Sequence, residues 1–163
     1  MKILLVDDEA LPLQDMKMAL EPTGFQIETT TRPKEAIEMY RQERFDAVVS
    51  DVRMPEIDGM TLLKTLRQMD ESARVIIVTA YGDLETAKEA INNRAYAFFG
   101  KPVSFPELIQ TLKDIETEQD ETSTPDVKRL QSENKRLKAV YQELLDEVKM
   151  LRNDHADPGS GET

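Results

Sequence analysis

Three carboxylates in a row, Asp7, Asp8 and Glu9, follow directly on the apolar run "KILLV" at residues 2–6. Like charges gathered at the mouth of an apolar core repel one another, and water screens them poorly there. The cluster is either the solvated end of a strand or a place where positive charge sits. Later runs end in similar chemistry. "DAVVS" (46–50) delivers Asp51, and "RVIIVT" (74–79) closes on Thr79 with small Ala80 behind it. Just beyond "YAFF" (96–99) stands Lys101, before Pro102. Brought to one rim, these acids, one hydroxyl and one ammonium would make a seat for a cation, with a donor and a fixed charge beside it.

The elements needed to bring them together are legible. A further run, "FQIET" (25–29), joins those at 2–6, 46–50, 74–79 and 96–99. The first, third and fourth are almost continuously apolar, as strands buried on both faces of a parallel sheet are. Helical patterns lie between and after them, at 10–20, 34–43, 58–69, 84–92 and 105–117, with apolar stripes such as Leu62, Leu63 and Leu66. Five β/α repeats imply a doubly wound α/β domain. In such an open sheet, ligands bind at the carboxyl ends of the strands.

Over residues 1–117 the pieces "LLVDDE", "VVSDVRMPEIDGM", "VIIVTAYGD" and "FFGKP" resemble, in order and spacing, the receiver domains of bacterial two-component response regulators. "VTAYGDLETA" looks most like receivers attached to sigma-54-type transcription activators. The resemblance implies a flavodoxin-like five-stranded parallel sheet in the order 2-1-3-4-5. It implies Asp51 as phosphoacceptor, with Asp7, Asp8, Asp51 and the backbone carbonyl of Arg53 as Mg2+ ligands. Thr79, Ala80 and Lys101 are implied around the phosphoryl group, and Phe98 at the aromatic switch position. A cognate histidine kinase or phosphotransfer protein is the implied donor. The physics agrees: a carboxylate attacking phosphorus needs the charges on both partners offset, which Mg2+ and a lysine do. Two positions depart from the family pattern, with Arg94 and Ala97 where a Gly and an Asp usually stand. Phe98 also lacks the hydroxyl a tyrosine switch would use.

After residue 117 the composition changes. "ETEQDETSTP" holds no apolar residue and reads as an acidic linker, assigned to 118–125. From 126 to 152 the apolar spacing alternates three and four. Val127, Asn134, Tyr141 and Val148 fall at a, and Leu130, Leu137, Leu144 and Leu151 at d. Four such heptads predict a coiled-coil helix, and Asn134 at an a position favours a parallel homodimer. The tail at 153–163 reads as disordered.

The bulk composition excludes several classes. A formal charge of −11 argues against nucleic-acid binding, and no basic helix leads into the zipper. Without cysteine there is no disulfide and no thiolate chemistry. No signal peptide or membrane span is read, so a cytoplasmic protein is expected. A phosphohydrolase would need D-x-D-x-T/V, where this chain has Glu9 and Leu11. The expectation is a phosphoacceptor switching protein contacts, not an enzyme beyond its own phosphotransfer and dephosphorylation, with an output partner or domain outside this chain. The alternative is an unphosphorylated scaffold presenting the coil.

Overall fold

The computed structural model describes residues 1–80 and 84–120, together with residues 140, 143 and 144. The chain divides into two units, Met1–Thr124 and Pro125–Thr163. The first begins β1 (Lys2–Val6), α1 (Ala10–Leu20), a short 3-10 turn (Glu21–Thr23), β2 (Gln26–Thr30) and α2 (Pro33–Gln42). It continues with β3 (Ala47–Asp51), α3 (Gly59–Met69), β4 (Val75–Thr79), α4 (Leu84–Asn92), β5 (Ala97–Gly100) and α5 (Phe105–Asp120). In the second unit Val140, Glu143 and Leu144 are helical. The other seam positions, Val127, Leu130, Asn134, Leu137, Tyr141, Val148 and Leu151, lie outside the described residues, as does the tail.

All strand pairs are parallel, and the sheet order is β2-β1-β3-β4-β5. The hydrophobicity of each strand matches its place. The inner strands β1, β3 and β4 are buried almost throughout, whereas edge strands β2 and β5 are partly exposed. Side chains alternate across the sheet. Leu4, Val6, Val48, Val75 and Ile77 pack with Ala36 and Tyr40 of α2, Leu62, Leu63 and Leu66 of α3, and Ala90 of α4. Ile3, Leu5, Val49, Ile76 and Val78 turn the other way, onto Leu13, Met16 and Leu20 of α1 and Leu108, Leu112 and Ile115 of α5. Burying each such large aliphatic side chain contributes about 1.5–3 kcal/mol. Among the described residues no helix is long and apolar enough to cross a membrane.

Most boundaries fall within one residue of the sequence reading, and the largest difference is at the end of α5. Helix α5 runs to Asp120, past the expected end at 117. Its last turn is polar, but it is tied to the sheet: Tyr96 Oη donates to Glu118 Oε1 at 3.2 Å and Gln119 Nε2 to Asp46 Oδ1 at 3.0 Å.

Candidate functional site

Because every strand points the same way, the carboxyl ends share one edge. Strand β1 ends at Val6, so Asp7 leaves the sheet at that edge, where its amide donates to the Thr30 carbonyl at 3.4 Å. Asp7 is buried at 2 % exposure, while Asp8 and Glu9 are exposed. The Glu9 amide donates to Asp7 Oδ1 at 3.0 Å, which turns the chain and fixes that carboxylate. Asp51 is the last residue of β3, paired with Val78 of β4, so Thr79 stands one position beyond it on the neighbouring strand. Thr79 is buried and Ala80 exposed. The Thr79 carbonyl accepts the Lys101 amide at 2.8 Å, which holds the residue after β5 against the end of β4.

From that anchor the Lys101 ammonium reaches inward. Its Nζ lies 3.0 Å from Asp7 Oδ2 and 3.6 Å from Asp51 Oδ1. Asp7, Asp8 and Asp51 each offer a carboxylate oxygen, and these oxygens lie within 4.8 Å of one another. Three carboxylates facing one ammonium formally leave an excess negative charge equal to that of a divalent cation. Hard oxygen donors so spaced suit Mg2+, which favours carboxylates and retained water. The electrostatics carry the same sign. Burial raises the Asp51 carboxyl above its ordinary value, and the nearby Asp7 and Asp8 charges add to that rise. The Lys101 ammonium and the Val52 amide oppose it without cancelling it. Burial alone would lower Lys101, but its hydrogen bond to Asp7 and the surrounding carboxylates, Asp51 and Glu9 among them, outweigh this and raise it.

The loop after β3 is built around Asp51. Gly59, the first residue of α3, donates its amide to the Val52 carbonyl at 2.8 Å. A β-carbon on residue 59 would stand 2.1 Å from the Asp51 carbonyl oxygen, so the close approach requires glycine. Between them Pro55–Ile57 forms a γ-turn closed by the Ile57 amide on the Pro55 carbonyl at 2.8 Å, with Glu56 at φ 68. Lys34 of α2 pins that turn through Glu56 Oε2 at 2.8 Å, and Asp58 caps α3 on the Thr61 amide at 2.7 Å. Arg53 sits in this loop, exposed.

The structure therefore brings Asp7, Asp8, Asp51, Thr79, Ala80 and Lys101 to one edge and places Arg53 on the loop beside it. Phe98 is separate from the rim: it pairs with Ile77, is half-buried, and packs with the cluster under α2, α3 and α4. Since Ile77 and Thr79 share a strand face, Phe98 lies on the Thr79 side of the sheet. The close approach of Gly59 to the Asp51 peptide was missed in the sequence. A glycine opening a helix soon after a strand-end Asp was the available signal for its contact.

An open parallel sheet in this order, with an acid cluster facing one lysine at its carboxyl edge, is the arrangement the receiver resemblance called for. The model of the response regulator receiver domain family matches residues 3–113, and the chain belongs to that family. It is 31% identical over 167 residues to the transcriptional regulatory protein ZraR of Escherichia coli (strain K12), covering 98% of this chain and 38% of ZraR. It is 32% identical over 114 residues to the C4-dicarboxylate transport transcriptional regulatory protein DctD of Rhizobium meliloti (strain 1021), covering 70% of this chain and 25% of DctD. The chain thus spans well under half the length of either relative. Among solved structures it is similar to a response regulator receiver domain protein from Clostridium thermocellum, with 30% identity and a TM-score of 0.69, covering 73% of this chain and 96% of that one. It is also similar to the response regulator TrrA from Thermotoga maritima, crystallised in complex with Mg(2+)-BeF, with 28% identity and a TM-score of 0.64, covering 70% and 97%.

Proposed function

We propose that this chain is the receiver of a two-component regulator that accepts a phosphoryl group on Asp51 from a histidine kinase or phosphotransfer protein. The observation that carries the reading is the placement of Lys101 Nζ, 3.0 Å from Asp7 and 3.6 Å from Asp51, beside three carboxylates close enough to share one ion. Asp7, Asp8, Asp51 and the Arg53 carbonyl would hold Mg2+, which supplies charge neutralisation for the transferred phosphoryl oxygens. Asp51 is the nucleophile. Lys101 exchanges its contact with the Asp51 carboxylate for one with the phosphoryl oxygens, and the Thr79 hydroxyl donates to another of them. Small, exposed Ala80 leaves the approach to the acid rim open for the donor. Movement of Thr79 toward the phosphoryl group frees space on its face of the sheet, and Phe98 turns into it. This changes the surface of α4, β5 and α5.

The chain acts as a switch and catalyses only its own phosphotransfer and dephosphorylation. Its likeness to ZraR and DctD supports a place among receivers of the sigma-54 activator type. It works in the cytoplasm through a protein effector or an output domain outside this chain, and this chain itself contacts neither nucleic acid nor membrane. Heptads over 126–152 support a parallel homodimer. Incubation with acetyl phosphate, followed by intact-mass spectrometry, tests the central step. A single phosphoryl adduct that requires Mg2+ is expected; no adduct with or without Mg2+ would favour the scaffold instead.

A further inference from the structure

The three strands that carry the phosphoryl chemistry also hold the last turn of α5, from their opposite ends. The residue immediately before β3 is Asp46, before β4 Arg74, and before β5 Tyr96. Asp46 Oδ1 accepts from Gln119 Nε2 at 3.0 Å. Arg74 Nε lies 3.9 Å from Glu118 Oε2, and Tyr96 Oη donates to Glu118 Oε1 at 3.2 Å. Each lies five residues ahead of a rim residue on or just after its own strand: Asp46 of Asp51, Arg74 of Thr79, Tyr96 of Lys101. Five residues of strand span about 17 Å, a stiff connection between the two edges of the sheet. Asp46 and Tyr96 are also locked into the sheet, since Asp46 Oδ2 accepts the Lys2 amide at 2.6 Å and the Tyr96 amide donates to the Val75 carbonyl at 2.7 Å.

We infer that Asp46, Arg74 and Tyr96 form a latch on Glu118 and Gln119, through which the state of Asp51 governs the last turn of α5. The inference rests on the phosphoacceptor reading. In the unphosphorylated protein the three strand starts grip the turn. When the phosphoryl group draws Thr79 and Lys101 toward Asp51, β4 and β5 shift along their axes, and the contacts converging on Glu118 lengthen first. Glu118 is the sensitive point because two strands meet on its one carboxylate, partly exposed at 32 %.

Hydrogen exchange of the full chain, read by mass spectrometry on the peptide containing residues 116–120, tests this. Samples are the wild type, Tyr96→Phe, Glu118→Gln and Asp51→Asn, each with and without acetyl phosphate and Mg2+, with phosphoryl uptake followed by intact mass. Loss of the Tyr96 hydrogen bond, or of the negative charge that Glu118 presents to Tyr96 and Arg74, is expected to speed exchange of the turn about fivefold. Tyr96→Phe and Glu118→Gln should therefore be fast without phosphodonor while still taking up phosphoryl. The wild type should become fast only when phosphorylated, and Asp51→Asn should stay slow. A phosphorylated wild type whose turn exchanges as slowly as before would overturn the latch and leave the phosphoacceptor reading intact. Fast exchange in Tyr96→Phe with no phosphoryl uptake by the wild type would reduce these contacts to a static brace and refute both. Unchanged exchange in both Tyr96→Phe and Glu118→Gln would also overturn the latch.

Discussion

The carbonyl oxygen of Asp51 occupies the space in which residue 59 would carry a side chain, 2.1 Å from where a β-carbon on Gly59 would stand. Helix α3 can start there only if its first residue is glycine. Gly59→Ala must therefore push the helix start away from the strand or twist the Asp51 peptide. Overpacking of this sort costs about 1–3 kcal/mol. Urea unfolding should show that loss, and phosphoryl uptake should slow along with it because the moved peptide is that of the acceptor itself.

The Asp51 carboxyl is raised in the folded protein, chiefly by burial. Its protonated form is then favoured by folding, so stability falls as pH rises from the ordinary carboxylate range through the raised value, and stays reduced at neutral pH. Removing the charge should reverse this. Asp51→Asn is expected to melt about 4 °C higher than wild type in Mg2+-free buffer at neutral pH. The gap should narrow as pH is lowered toward about 4. Adding Mg2+ should stabilise the wild type more than the variant, which has lost one of the three ligating carboxylates. Thermal melts across pH, with and without Mg2+, check all of these.

Helix α4 ends on a residue suited to another backbone. The Arg94 amide donates to Ile91 and that of Ala95 to Ala90, both at 2.9 Å, and Arg94 has φ 59. This is the Schellman ending, whose left-handed position is usually glycine. Arg94 is exposed, so its side chain has no core role to lose. Arg94→Gly is expected to stabilise the domain by about 0.5–1 kcal/mol, measured as a higher urea midpoint at unchanged slope.

Helices α2 and α3 are joined at one end by Tyr40 Oη donating to Asp70 Oδ2 at 3.1 Å. The Tyr40 hydroxyl titrates higher than usual, first through burial and then through the Asp70 charge. Asp70 is lowered, mainly by the Ser72 hydroxyl, with further help from the Ser72 amide and Tyr40. A carboxyl lowered on folding contributes stability that is present above its ordinary value and lost as pH falls through the lowered one. Asp70→Asn should thus be less stable than wild type at neutral pH and converge with it below about pH 4. Tyr40→Phe should cost about 1 kcal/mol in urea unfolding at neutral pH.

Much of this was legible in the residues. The continuous apolar runs of β1, β3 and β4 marked buried parallel strands, and an acid or hydroxyl at the end of each then had to fall on one edge. Arg94 was visible as a departure from a glycine position, and its φ of 59 gives that departure a physical meaning. The end of α5 was not legible. Glu118 and Gln119 look like linker because their partners, Asp46, Arg74 and Tyr96, lie 22 to 73 residues away in sequence. Local propensity cannot register contacts of that range. The same holds for Gly59, whose necessity depends on how closely a helix start approaches a strand end.

The central claim, that Asp51 is the phosphoacceptor, is tested most directly by locating the phosphoryl group. After incubation with acetyl phosphate and Mg2+, borohydride reduction converts an aspartyl phosphate to homoserine, which tryptic mapping can place. Cleavage after Arg44 and Arg53 isolates residues 45–53, and the acid pair falls in a separate peptide that begins at Ile3. The account predicts homoserine at position 51, with none at 46 and none when Mg2+ is withheld. Homoserine at position 7 or 8, with Asp51 untouched, would contradict it.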